Sequence, residues 1–171
     1  MSRTPALTLA AVTLAGTAAV AQTPPPDPCA GEAHRQFDFW IGDWEVTQPD
    51  GTAAGHNAIE SILGGCVLTE EWTSASSGHA GRSVNIYDAR SDRWHQTWVD
   101  NSGLLLELNG GLEEGRMVLK GEGKARDGKK LQHEIAWTPQ PDGTVKQHWR
   151  MKKEGDDSWQ DAFVGIYRKV E

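Results

Sequence analysis

The sequence predicts an all-β protein, an antiparallel up-and-down barrel of about 8–10 strands that follows a short helical turn. Two observations predict this fold: an aromatic segment that ends in a Gly-x-Trp triplet, and turn signals that recur at short, even intervals after it. Short strands at even spacing favour a meander over alternating βαβ units. A sheet of this length must curl or close, and closure removes its exposed edges.

The aromatic segment, residues 37–46, is expected to begin the barrel. Two Phe and two Trp lie within residues 37–44, and Gly42 precedes Trp44 by two positions. We expect a helical turn near residues 33–39 to carry aromatic side chains beneath the floor of the barrel. Gly42 then releases the chain into the first strand, so Gly42 and Trp44 are predicted to have structural roles.

Nine turn signals follow Trp44, and runs of five to nine residues rich in β-branched and aromatic side chains lie between them. The turn signals occupy residues 49–51, 63–65, 78–81, 88–92, 101–103, 109–111, 127–128, 141–143 and 155–157. Because each break separates two strands, the pattern predicts about ten strands.

Alternation along these runs separates two faces, since successive side chains of a strand point to opposite sides. In residues 145–152, apolar and amide side chains alternate with cationic and His side chains, and the first set is predicted to face inward. Four strands can be interpreted in this way. Their predicted inward-facing residues are Cys66, Leu68, Glu70 and Trp72; Trp94, Gln96, Trp98 and Asp100; Leu131, His133, Ile135 and Trp137; and Val145, Gln147, Trp149 and Met151.

The N-terminal residues have the features of an export signal. Arg3 is followed by an uncharged apolar run over residues 6–21, and Ala19-Val20-Ala21 matches a signal-peptidase site. Residues 1–21 are therefore predicted to be a signal peptide, residues 22–30 a proline-rich flexible linker and residues 31–171 the barrel domain. We expect a periplasmic or secreted protein with no membrane anchor after cleavage.

The charge balance argues against nucleic acid as a partner. The chain has 17 Lys and Arg against 24 Asp and Glu, a net charge of −7. Removing Arg3 with the signal peptide leaves 16 against 24, or −8. Phosphate binding requires a basic surface, so no nucleic-acid partner is expected. The oligomeric state stays open at this point.

The chain has two cysteines, Cys29 and Cys66. Disulfides persist in exported proteins, so a Cys29–Cys66 bridge is expected, with two buried free thiols as the alternative. No C-x-x-C motif occurs, and the six histidines show no i, i+2 or i, i+4 pairing. We therefore predict no metal and no cofactor. The alternative is a haem held in the lumen by a single axial histidine, for which His133 has the best position.

The Gly42-x-Trp44 triplet resembles the opening of lipocalins and other calycins, in which an Arg late in the chain lies across the Trp. Arg168 matches that Arg. More closely, the opening Phe-Asp-Phe-x-x-Gly-x-Trp and the closing Gly165-Ile166-Tyr167-Arg168 resemble an uncharacterised bacterial family of exported lipocalin-like proteins. The resemblance covers residues 31–171. It implies a barrel fold, and it implies neither a reaction nor a ligand.

The predicted lumen is the candidate site. Aromatic walls with a few convergent polar groups are typical of a small-molecule pocket, because burial gives affinity and hydrogen bonds give orientation. The alternative is a small barrel filled by its own side chains. The predicted ligand-binding residues are Trp72, Asn85, Tyr87, Trp94, Gln96, Trp98, Trp137, Gln147 and Trp149.

Acid–base chemistry in the same lumen is the second functional hypothesis. A carboxylate in an apolar lumen must find a partner or change its pKa. A Glu70–His133 relay is the first catalytic candidate and Glu60 the second, with a purely structural hydrogen-bond network as the alternative. The leading prediction is binding of a small, partly apolar ligand; the alternatives are an isomerase-like or hydratase-like enzyme, or a non-catalytic domain with a filled core.

Overall fold

The computed structural model describes residues 27–170, and this part of the chain forms one closed antiparallel barrel. The predicted signal peptide lies outside the described residues. The ten strands are β1 (Gly42–Thr47), β2 (Ala53–Ile62), β3 (Val67–Ser74), β4 (Ala80–Asp88), β5 (Arg93–Asp100), β6 (Leu105–Glu113), β7 (Arg116–Lys124), β8 (Lys130–Pro139), β9 (Val145–Lys153) and β10 (Gln160–Lys169). The predicted all-β barrel is confirmed.

The barrel has up-and-down topology. Each strand pairs with the next, and β1 closes the barrel against β10 with Trp44 opposite Lys169 and Thr47 opposite Ile166. One end, the floor, holds the loops after β2, β4, β6 and β8, and the other end, the mouth, holds the loops after β1, β3, β5, β7 and β9. No helix among residues 27–170 has the length and apolar character needed to cross a membrane.

The floor is closed by the segment before β1. Helix α1 (Glu32–Arg35) is followed by a 3-10 turn over Asp38–Trp40, which confirms the predicted helical turn. Phe37 and Trp40 are fully buried and stack with ring centroids 4.8 Å apart. The Phe37 ring also meets Trp94 and Trp137 edge-on, at 5.6 and 5.2 Å. Such aromatic pairs stabilise by about 0.5–1.5 kcal/mol beyond their burial.

The cation over Trp44 is Lys169, and the expectation for Arg168 is wrong. Lys169 Nζ lies 5.3 Å from the centroid of the Trp44 ring, whereas the Arg168 side chain is exposed and pairs in register with Glu45. Alternation explains the difference: Tyr167 faces inward, so Arg168 faces outward and Lys169 shares the face of Tyr167. Gly42 has a φ of 141°, a conformation that favours glycine, and a Cβ there would lie 3.0 Å from Lys169 Cε.

The expected disulfide joins Cys29 to Cys66 with a Cα–Cα distance of 5.1 Å. It ties the N-terminal arm to the residue that precedes β3, at the floor. The bridge closes a loop with a sequence separation of 37 residues. A loop of this size stabilises the fold by about 4 kcal/mol in the chain-entropy description.

Alternation predicted the inward faces of β3, β5, β8 and β9 correctly. Leu68, Trp94, Ile135 and Val145 are buried, each on the predicted face of its strand.

Candidate functional site

A cavity of about 610 Å³ lies inside the barrel at the mouth. This volume falls within the roughly 300–1,000 Å³ of small-molecule sites. Six aromatic residues line it, and they are Trp72, Trp98, Trp137, Trp149, Phe163 and Tyr167. Trp137 also contacts Phe37 and Trp40, so the cavity is closed off at its inner end by the aromatic floor.

Two glycines make room for the rings of the wall. A Cβ on Gly81 would lie 2.2 Å from Trp98 Cζ2, and a Cβ on Gly55 would lie 2.7 Å from Trp72 Cη2. Real Cβ atoms do not approach a ring so closely, so any larger residue would push the indole away from the strand. The width of the cavity therefore depends on glycine at these two positions.

Trp149 is held by His133. The Trp149 Nε1–H donates to His133 Nδ1 at 3.2 Å, and the two ring centroids lie 5.8 Å apart. Because an indole nitrogen only donates, Nδ1 must accept, and the neutral imidazole carries its proton on Nε2. Burial lowers the pKa of His133, which favours this neutral form. His133 thus fixes the orientation of a lining ring.

Trp98 is held from the mouth by Asp100. The Asp100 Oδ2 atom accepts from Trp98 Nε1 at 3.3 Å and lies 3.1 Å from Nε2 of the lining residue His79. Burial alone raises the pKa of Asp100, but hydrogen bonds from Ser102, from His79 and from the Leu104 backbone hold that pKa well below its usual range. Asp100 therefore stays ionised and keeps the Trp98 ring in place.

Seven buried polar side chains form a connected network around the inner part of the cavity, and we call them the polar base. They are Asn57, Glu70, Ser83, Asn85, Gln96, Gln147 and Tyr167. Four of them, Glu70, Gln96, Gln147 and Tyr167, line the cavity itself. The base therefore offers hydrogen-bonding groups to a molecule whose apolar part lies between the rings.

The hydrogen bonds of the polar base run from strand to strand. Asn57 Nδ2 donates to Glu70 Oε1 at 2.8 Å and to the Tyr167 hydroxyl at 3.3 Å, and that hydroxyl donates to Gln147 Oε1. On the other side, Gln96 Nε2 donates to Asn85 Oδ1 at 2.7 Å. A network connected in this way is rigid, because each partner fixes the rotamer of the next.

Two atoms of this region lack a partner. Asn57 Oδ1 and Trp137 Nε1 are buried and have no hydrogen-bond partner within the described part of the chain.

Glu70 is the titratable group at the centre of the polar base. Burial raises its pKa to about 7, against hydrogen bonds from Ser83 and Asn57 that lower it. Ser83 Oγ donates to Glu70 Oε2 at 2.6 Å. Burial and the nearby Glu70 also raise the pKa of Tyr167 well above its usual range, so this phenol stays neutral. The cavity thus contains a carboxyl group whose charge changes near neutral pH.

The structure brings six of the nine predicted ligand-binding residues to the cavity. They are Trp72, Gln96, Trp98, Trp137, Gln147 and Trp149. Asn85 lies behind the wall and donates to Ser83 Oγ at 2.9 Å and to the Leu68 carbonyl at 3.2 Å.

The expectation that Trp94 and Tyr87 line the lumen is wrong. Trp94 donates from Nε1 to the Ala33 carbonyl at 3.2 Å. Tyr87 donates to Asp92, and its ring centroid lies 5.0 Å from that of His34. Both side chains are on the predicted face of their strands but at the floor, where the N-terminal segment covers them. Alternation gives the face of a residue and not its depth in the barrel.

The predicted Glu70–His133 relay is not formed. Glu70 bonds to Asn57 and Ser83, whereas His133 bonds to Trp149. Glu70 lies on β3 and His133 on β8, and these two strands are far apart in the barrel order. Glu60 was expected inside, and this is also wrong, because its side chain is exposed on the outer face of β2. Ile59 and Asn57 occupy the inward positions of that strand.

Four residues of the aromatic lining and the polar base were missed from the sequence: Asn57, Ser83, Phe163 and Tyr167. Phe163 meets Trp72 edge-on with centroids 5.8 Å apart. Buried Ile59 shares its face with Asn57, so alternation through β2 would have found that residue. For Ser83 the signal was its position two residues before Asn85, which the lumen prediction already included.

Across residues 27–170, no three His, Cys, Asp or Glu side chains converge as metal ligands do. Comparison of the sequence with protein-family models and with curated proteins finds no match. The barrel that the opening motif implied is present, while the likeness to the exported lipocalin-like family rests on the motif itself.

Proposed function

We propose that this protein binds a small, partly apolar molecule in the aromatic cavity and carries, sequesters or senses it without changing it. The observation that carries the proposal is the cavity of about 610 Å³ itself. A barrel filled by its own side chains leaves no continuous space of this size. Aromatic walls supply affinity by burial, and the polar base supplies orientation.

The difference between the two ends of the barrel supports the same proposal. The disulfide, the N-terminal segment and the aromatic stack close the floor. At the mouth, by contrast, the lining includes the loop residues Gln48, Pro49 and Ser76, so the cavity extends to the loops through which a ligand would enter.

The direct test is to recover a resident molecule. Protein purified from its native host under mild conditions is extracted with organic solvent, and the extract is analysed by mass spectrometry. The proposal predicts one compound in near-stoichiometric amount. Its control is Ser74→Trp, which places a large ring at a small lining residue of β3 and should yield none of that compound while the circular dichroism spectrum stays that of the wild type. Equal recovery from both proteins, or no saturable ligand in a broad binding panel, would contradict the proposal.

Acid–base catalysis in the same cavity is the second candidate function, and the position of Glu70 favours it. Glu70 lines the cavity, and burial raises its pKa to about 7, the range in which a carboxyl group serves as general acid or base. Under this reading Glu70→Gln abolishes turnover and leaves binding intact. Substrate candidates come from the extracted compound, and a compound recovered unchanged after prolonged incubation would exclude catalysis on it.

Export to an oxidising compartment accompanies the proposed function. The Cys29–Cys66 disulfide is typical of proteins outside the cytosol. Residues 1–21 have the pattern of a signal peptide. We infer that the protein works in the periplasm or after secretion. N-terminal sequencing of the native protein should find Gln22 as the first residue, and an N-terminus at Met1 would contradict cleavage.

A further inference from the structure

We propose that the ligand is a small organic cation: an amine with an apolar, preferably aromatic, body whose ammonium group binds at Glu70. This inference rests on the proposed function and names its ligand class. Three independent features of the cavity point to it: the sign of the charges that face it, the chemistry of its walls, and the hydrogen-bonding capacity of its base.

The charges that face the cavity are acidic. Among the described residues that line it there is no Lys and no Arg, whereas Glu70 lies inside and Asp161 lies at the rim, where its exposed carboxylate bonds to His148 Nε2 at 2.7 Å. His79 is the remaining ionisable side chain of the mouth, and its Nε2 lies against the ionised Asp100 at 3.1 Å. A carboxylate ligand would therefore enter a site with no cation to neutralise it, and such burial of an unpaired charge is costly.

The walls suit a cation as well as an apolar body. Six aromatic rings line the cavity, and four of them are indoles. The face of an indole attracts a cation more strongly than other aromatic rings do, and desolvation inside a cavity strengthens the attraction. An ammonium ligand gains from both the rings and the carboxylate, whereas a neutral ligand of the same shape gains from burial alone.

The polar base presents acceptors. Glu70 accepts one hydrogen bond on each oxygen, from Asn57 and from Ser83, and each oxygen has a second lone pair for a ligand N–H. Gln96 uses its Nε2 for Asn85, so its carbonyl oxygen is the group left for a ligand. Gln147, on the other side, gives its carbonyl oxygen to Tyr167 and presents its amide N–H groups as donors. An ammonium group donates up to three hydrogen bonds and accepts none, which matches the acceptors of Glu70 and Gln96.

The protonation of Glu70 makes binding depend on pH. Glu70 faces Tyr167 on β10, which stays neutral, and the neutral Asn57 and Ser83 on β2 and β4. Because burial raises the Glu70 pKa to about 7, a cation binds best above that pH, where the carboxylate is ionised. A simple aliphatic amine keeps its proton to about pH 10, so a window opens near pH 8.

The test compares three probes with the same aromatic body: naphthylethylamine, naphthylethanol and naphthylacetate. Isothermal titration calorimetry at about pH 8 should rank the amine on the order of 10-fold tighter than the alcohol, and the acetate weakest. At about pH 5 the preference for the amine should shrink toward the alcohol, because Glu70 is then protonated.

Two variants make the result specific. Glu70→Gln should remove most of the roughly 10-fold amine preference, and a near-UV circular dichroism spectrum like that of the wild type should show that the aromatic wall is intact. The matched control is Glu60→Gln, the same change on the exposed outer face of β2, and it should leave all three affinities as they are. An alcohol or acetate that binds as tightly as the amine overturns the cation inference and leaves the binding function standing. No saturable binding by any probe overturns both.

Discussion

The buried carboxyl group of Glu70 should make the stability of this protein fall as the pH rises through neutrality. Its pKa is raised from 4.5 to about 7 by burial. Between these two values the folded protein keeps a proton that the unfolded chain has lost, so the free energy of unfolding decreases as pH rises. The sign is opposite to that of a salt-bridged carboxylate, whose stabilising effect is lost on acidification.

The size of this effect follows from the shift. One pKa unit corresponds to about 1.4 kcal/mol, so the shift in Glu70 costs about 3 kcal/mol between pH 4.5 and pH 7, and nothing further above it. For a domain whose total stability is about 5–15 kcal/mol, this loss is large enough to measure.

Urea unfolding of the wild type and of Glu70→Gln, over a pH range from about 4 to 8, isolates this term, because the other groups titrate alike in both proteins. Gln mimics the protonated carboxyl group and does not titrate. The variant should therefore gain about 3 kcal/mol relative to the wild type across the range. Glu60→Gln is again the matched control and should show no such gain. A difference between wild type and Glu70→Gln that is constant with pH would refute the reasoning.

Three further predictions concern the fold and the wall of the cavity. Replacing Cys29 and Cys66 by Ser, or reducing the bridge, should lower the free energy of unfolding by about 4 kcal/mol in urea titrations; a loss under 1 kcal/mol would contradict the loop-closure account. Lys169→Ala should cost about 0.5–1 kcal/mol and change Trp44 fluorescence, and unchanged emission would argue against the cation–π contact. Gly81→Ala should push the Trp98 indole away from the strand, so the near-UV circular dichroism spectrum should change and the affinity for the amine probe should fall at least 10-fold. Unchanged affinity would mean that the Trp98 ring can move without disturbing the site.

The barrel was predictable because its signals are local. The turn signals gave the number of strands, and alternation gave the faces of β3, β5, β8 and β9. The turn predicted at residues 109–111 is wrong, because those residues lie inside β6 and the chain turns at Glu114 and Gly115. The aromatic segment before β1 predicted a closed floor. Because it closes that end of the barrel, it indicated that a ligand site would lie at the opposite end. Each of these signals can be recognised from residues that are neighbours in the sequence.

The errors concern residues whose role depends on their position in three dimensions. Trp94 and Tyr87 have the predicted inward face but lie at the floor, since depth depends on strand stagger and on the helix that covers that end. Glu70 and His133 both lie inside but on strands far apart in the barrel order, a separation that no local pattern expresses. Arg168 was predicted to lie over Trp44, but the next residue, Lys169, does so. A shift of one residue moves a side chain to the opposite face of a strand, so the predicted cation was on the wrong face.

The most direct test of the ligand cavity uses the indole N–H resonances of the eight Trp residues as reporters. Naphthylethylamine is titrated into nitrogen-15-labelled protein, and single Trp→Phe variants assign the signals. If the cavity is the site, the resonances of Trp72, Trp98 and Trp149 shift saturably with one dissociation constant, while that of Trp44 at the floor stays in place. Shifts confined to Trp159, which lies under Arg150 and does not line the cavity, would contradict a ligand site inside the barrel, and so would shifts that never saturate.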